Sequence, residues 1–121
     1  MTHYRTANLD IFLGDIFDLS CPMLGRVDAV YDRAALVALP EEMRNRYTAH
    51  LMEISDKAPQ LLICYEYDPI QMEGPPFSIN NQEIYHHYER DYRLTLLEST
   101  SVPGGLKGKC PANENTWLLK K

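Results

Sequence analysis

A chain of 121 residues has room for one domain, residues 1–121, with one buried core, but it is short for an enzyme that grips a nucleotide-sized cofactor. Its composition, 45% hydrophobic and 24% charged, is that of a soluble globular protein. No apolar run is long enough to span a bilayer and the start is not signal-like, so a cytoplasmic protein with no membrane partner is expected. A net charge of −5 repels the phosphate backbone and sets nucleic acid aside as a partner.

In chain order, Leu9-Asp10-Ile11-Phe12-Leu13 alternates and then turns apolar, which predicts a strand over 8–13 broken by Gly14-Asp15. A loop through Pro22 and Gly25 leads to a second strand over 27–31, which runs into Asp32-Arg33 and then into helix formers. In open α/β sheets ligands sit beyond the carboxyl ends of parallel strands, so this acid and arginine are candidates to face a small charged molecule. The alternative is an internal ion pair closing a strand-to-helix turn. Pro40-Glu41-Glu42 suits the first turn of a helix, where a missing N–H is no loss and acids meet the positive dipole end. Met43, Tyr47, Leu51 and Ile54 recur at helical spacing and should form the face that packs on the sheet.

Gln60-Leu61-Leu62-Ile63-Cys64-Tyr65 is nearly continuous apolar sequence, the pattern of a central strand covered on both faces. Its end carries Glu66-Tyr67-Asp68-Pro69, followed by a loop stiffened by Pro75 and Pro76. Asn80 caps a helix that ends near Glu89, with Glu83 placed to reach back to the cap and Ile79 to staple onto Ile84. Strands over 91–98 and 114–119 flank a glycine- and lysine-rich loop from Pro103 to Pro111. The order is strand, strand, helix, strand, helix, strand, strand: two crossover units and an antiparallel ending.

Other reactive side chains read as structural. Cys21, Cys64 and Cys110 are odd in number, widely spaced and without a CxxC pair, which fits reduced thiols and no metal. Cys64 reads as a small core hydrophobe. His86 and His87, adjacent on a helix, point about 100° apart and read as surface residues. No serine, histidine and acid fall into a nucleophile arrangement. Gly74-Pro75-Pro76-Phe77 reads as a stiff connector whose Phe77 plugs the core beneath the helix at 80.

Five motifs then agree in order and spacing with one family. Gly14-Asp15-Ile16-Phe17-Asp18-Leu19, the stretch Val27 to Leu36 containing Tyr31-Asp32-Arg33, Pro40-Glu41-Glu42-Met43-Arg44, Tyr67-Asp68 and Gly74-Pro75-Pro76-Phe77-Ser78 resemble the thiopurine S-methyltransferases, the bacterial ones above all. The resemblance covers most of residues 9–90. It implies an α/β fold, a partial Rossmann-like class I methyltransferase sheet that is mainly parallel with an antiparallel C-terminal strand and helices packed on it. It implies S-adenosylmethionine as cofactor and methyl transfer to a thiol or similar soft nucleophile on a small-molecule acceptor such as an aromatic thiol. Asp15 and Ile16 would lie on the adenosine side, Arg33 at the junction of cofactor and acceptor with Asp32 holding it, and Tyr67 and Phe77 on the acceptor pocket, with no residue assigned as catalytic and no metal.

The departures from the family's pattern are as large as the match. The strand and glycine turn that hold the methionine part of the cofactor, and the second strand that ends in an acid, precede the segment that matches, and no counterpart occurs here. In the resembled sheet the first and second strands of this chain would not touch, so strand 8–13 is expected to move over and pair with 27–31, leaving exposed sheet edges open to self-association. The competing functional reading is a catalytically silent remnant that serves as a binding or interaction module.

Overall fold

The computed structural model describes residues 1–121. It contains strands β1 (Thr2–Arg5), β2 (Asp10–Leu13), β3 (Val30–Arg33), β4 (Gln60–Tyr67), β5 (Arg93–Ser101) and β6 (Ala112–Lys120), and helices α1 (Cys21–Leu24), α2 (Glu41–Ile54) and α3 (Asn81–Tyr88). The protein is a mixed α/β fold with a four-stranded sheet in the order β3-β4-β6-β5. Only β3 and β4 run parallel; β4 with β6 and β6 with β5 are antiparallel, so the sheet is not mainly parallel as expected. The reason is the place of β6, which inserts between β4 and β5 and reverses direction against both. No helix is long and apolar enough to cross a membrane.

The first strand does not join this sheet. β2 pairs antiparallel with β1, an element the sequence reading missed, through the tight reversal closed by the Thr6 N–H to Leu9 C=O bond of 2.8 Å. A short local reversal costs less closure entropy than carrying β2 across to β3. β3 starts later than expected, because its parallel register runs from Val30 opposite Gln60 to Arg33 opposite Ile63, which brings Asp32 and Arg33 into the strand itself.

β4 is central in the sheet, but its cover is one-sided. Leu62 and Cys64, with Trp117 and Leu119 across the β6 ladder, are buried in one cluster with Tyr47, Leu51 and Ile54 of α2, Ile84 and Tyr88 of α3, and Ile79. Leu61 on the opposite face is 37% exposed. α2 presents Arg44, Tyr47, Thr48, Leu51 and Ile54 inward and leaves Met43 exposed, a correction of one residue to the expected face. α3 begins as expected: Asn80 Oδ1 accepts the Glu83 N–H at 2.8 Å. The Glu83 carboxylate does not return to the cap; it turns to Arg44 and His87.

Candidate functional site

β3 alternates, so its two charged residues part company. Asp32 is buried, accepting the Tyr47 O–H at 2.9 Å and the Leu36 N–H at 3.4 Å. Burial raises its pKa above the ordinary 3.8, while the bonds from Tyr47 and from the Leu36 and Ala35 N–H groups pull the other way. Asp32 therefore closes the strand-to-helix turn, but against a hydroxyl and a backbone amide. It does not hold Arg33, which lies exposed on the opposite face beside Tyr31, Glu114 and Tyr65. Arg33 makes no ion pair, and its guanidinium faces solvent beside the Tyr31 side chain. The next residue, Ala34, takes a left-handed φ of +66°, a conformation that alanine adopts at a cost.

Asp15 and Ile16 sit in the turn before α1. Asp15 is exposed and accepts the Phe17 N–H at 3.0 Å, capping the short 3₁₀ turn Ile16–Asp18. Ile16 is half-buried against the main core, and its carbonyl lies 2.9 Å from His50 Nε2 on α2. Arg46 of α2 lies 4.3 Å from the ring centre of Phe17. The turn is thus tied down by α2, with one Asp15 oxygen occupied by its own backbone.

Tyr67 and Phe77 do come together. They line one cavity of about 540 Å³ with Arg44, Met72, Gly74 and Ser78, beyond the carboxyl end of β4. The Tyr67 hydroxyl donates to the Pro76 carbonyl at 2.6 Å, and Ser78 Oγ bridges the Tyr67 N–H and C=O, both at 2.9 Å. Phe77 is held by its N–H on the Val37 carbonyl at 2.6 Å, and it is half-buried, walling the cavity instead of plugging the core. A β-carbon on Gly74 would stand 2.5 Å from the Phe77 ring, so only glycine permits this loop to close on the aromatic side chain. Asp15, Ile16 and Arg33 line none of the five principal cavities. Arg33 stands opposite Ile63, four residues short of Tyr67 and so about 13 Å from it along the strand.

The feature that sequence reading missed is the charged group at the base of this cavity. Arg44 donates to both Glu83 oxygens at 2.6 and 3.0 Å and to the Leu39 carbonyl at 2.7 Å, and its guanidinium lies 5.6 Å from the Phe77 ring centre. His87, expected at the surface, is buried with Nε2 2.9 Å from Glu83 Oε2. Burial raises the Glu83 pKa, but the bonds and charges from His87 and Arg44 outweigh it and hold the carboxyl below 4.5. The signal was present: Arg44, Tyr47, Thr48 and Leu51 form an i, i+3, i+4, i+7 row, and Glu83 and His87 are one turn apart. Cys64, fully buried, has its thiol pKa pushed far up by burial and is inert, as expected of a core residue.

The sequence profile of the thiopurine S-methyltransferases matches residues 1–118. The chain belongs to the thiopurine S-methyltransferase family. It is 52% identical over 120 residues to the thiopurine S-methyltransferase of Xanthobacter autotrophicus, covering 99% of this chain and 56% of that protein. It is 47% identical over 114 residues to that of Gluconobacter oxydans, and 47% identical over 118 residues to that of Teredinibacter turnerae. Those matches cover 94% and 98% of this chain but 52% and 55% of the relatives. The chain spans about half the length of the curated thiopurine S-methyltransferases it matches, so nearly as much sequence again lies outside the shared stretch.

Proposed function

We propose that this chain supplies the acceptor wall, and part of the cofactor wall, of an S-adenosylmethionine-dependent methyltransferase acting on an aromatic thiol. Family membership over residues 1–118 carries the reading. The cavity between Tyr67 and Phe77 supports its acceptor side, since two flat apolar faces suit an aromatic ring. Arg33 would orient a charged group of the cofactor or acceptor from the end of β3, while Asp15 and Ile16 would meet the adenosine.

The side chains limit what chemistry the chain itself performs. S-adenosylmethionine, when bound, supplies an electrophilic methyl group on a sulfonium. Tyr67 is a poor base, because burial raises its pKa and its proton is committed to the Pro76 carbonyl. An aromatic thiol ionises readily enough to need no base, so positioning is the main contribution asked of the protein. Asp15, Ile16 and Arg33 as they stand do not enclose the cofactor: Asp15 is partly spent on its own turn, Ile16 leans on the core, and Arg33 faces solvent. That gap favours a second reading, a binding module with no turnover of its own whose free sheet edges pair with a partner or a second copy.

Titration with 6-mercaptopurine tests the acceptor wall. The proposal expects saturable binding that weakens about tenfold in Phe77→Ala and less in Phe77→Leu, which keeps an apolar wall. Absence of binding, or equal affinity in all three proteins, contradicts it.

A further inference from the structure

Pro75 and Pro76 carry no N–H, so the backbone that walls the acceptor cavity is held through their carbonyls and the Phe77 amide. Each of the three is taken by a different part of the chain. The Phe77 N–H is on the Val37 carbonyl, the Pro76 carbonyl accepts the Tyr67 hydroxyl, and the Pro75 carbonyl accepts Lys107 Nζ at 2.6 Å. Lys107 lies 32 residues further along, in the loop between β5 and β6. Val37 and Tyr67 are buried; Lys107 is the one exposed anchor.

The turn that carries Lys107 is strained. The Lys109 N–H closes it on the Leu106 carbonyl at 2.9 Å, and its two central residues, Lys107 and Gly108, have left-handed φ of +53° and +63°. Turns of this form favour glycine or asparagine at both places, so a lysine side chain is held at the first of them at a cost. The base of the turn is firm. Leu106 and Cys110, joined by the Leu106 N–H to Cys110 C=O bond of 2.8 Å, are buried in one cluster with Tyr67, Met72 and Ala112. Tyr67 and Met72 also line the acceptor cavity. A lysine in a strained turn, on a base shared with the cavity, thus reaches back to the cavity's own loop. An exposed hydrogen bond to one carbonyl adds little to stability, so stability does not account for lysine where glycine is relaxed.

We propose that Lys107 is a positioning residue of the acceptor site: it braces the Pro75 carbonyl and so sets where the Phe77 ring stands against a flat aromatic acceptor. Its part is to hold the loop, not to touch the acceptor. With the brace in place, the short run from Pro75 to Phe77 is fixed along its whole length; without it, the run hangs from Tyr67 and Val37 alone and the ring loses its preset place. The inference rests on the acceptor reading of this cavity, but the brace has a readout that needs no acceptor.

Four variants test it: Lys107→Met, Lys107→Gly, Lys107→Arg and, as a control for lost charge on the same loop, Lys109→Met, whose lysine lines another cavity with Glu66 and Asn113. Hydrogen exchange of the Phe77 amide by NMR reads the brace, and titration with 6-mercaptopurine reads the acceptor wall. Lys107→Met and Lys107→Gly are expected to exchange about tenfold faster at Phe77 and to bind about fivefold more weakly, while Lys107→Arg and Lys109→Met match the parent chain. Both weakened variants lack the bond to Pro75, but glycine relaxes the turn. The urea midpoint of Lys107→Gly therefore lies above that of Lys107→Met while their affinities coincide. A lysine of merely structural use would make affinity follow stability, so parental binding by Lys107→Gly overturns the proposal. So does an unchanged Phe77 exchange rate in Lys107→Met, or an equal loss of binding in Lys109→Met. If the parent chain takes up no 6-mercaptopurine, the acceptor reading fails by itself, and the Phe77 exchange rate still decides whether Lys107 braces the loop.

Discussion

Asp32 and Arg33 are neighbours in sequence and strangers in space, because a strand sends successive side chains to opposite faces. Asp32 is an internal acceptor for Tyr47 and the Leu36 amide; Arg33 touches nothing that the fold depends on. Asp32→Ala is therefore expected to cost about 2–3 kcal/mol by stranding the buried Tyr47 hydroxyl, and Arg33→Ala to leave the midpoint unchanged, in urea denaturation. Ala34→Gly should gain up to about 1 kcal/mol by relieving the +66° φ. The raised Asp32 pKa has a definite pH signature. The folded protein holds this proton more tightly than the unfolded chain, so the stabilisation is full below the ordinary 3.8 and is lost as pH rises through the raised value. Asp32→Asn removes that part of the slope. The residue identities flagged Asp32-Arg33 as a pair with a purpose. Which of the two was structural could not be read, since the deciding partner, Tyr47, reaches Asp32 from another element.

At the scale of elements, the strands and the two longer helices were legible wherever the signal was local. The Asn80 cap fixed the start of α3, and the apolar run Gln60 to Tyr65 fixed the central strand. The inward face of α2 was misread at Met43 because hydropathy favours methionine over arginine, whereas Arg44 is buried by partners far along the chain: Glu83, the Leu39 carbonyl and Phe77. That clamp joins α2 to α3 beneath the candidate acceptor cavity. Glu83→Ala leaves a buried guanidinium unpaired and should cost about 3–5 kcal/mol in thermal or urea unfolding. Its pH dependence runs opposite to that of Asp32: the depressed Glu83 pKa gives stability that is present above 4.5 and lost as pH falls through the lower folded value. Gly74→Ala should displace Phe77, given the 2.5 Å approach, and weaken 6-mercaptopurine binding more than it lowers stability.

For the molecule as a whole, the sequence spoke clearly of family and poorly of sheet order. Five short motifs point to the thiopurine S-methyltransferases, but nothing in strand periodicity tells that β6 inserts between β4 and β5, or that β1 captures β2 in a hairpin. Strand pairing depends on long-range packing, and a period-two pattern is the same for a parallel and an antiparallel neighbour. The two-sided apolar character of β4 is where sequence and fold disagree: Leu61, on the face that α2 and α3 do not cover, is 37% exposed. Under the proposed function this sheet carries one wall of a methyltransferase site, with Arg33 exposed on its uncovered face. Calorimetric titration with S-adenosylmethionine tests that account most directly. The chain alone should give no binding heat at micromolar cofactor, while the chain joined to the unmatched segment of the Xanthobacter relative should bind, and Arg33→Ala in that fusion should abolish the signal. Micromolar binding by the 121-residue chain alone, unaffected by Arg33→Ala, would contradict it.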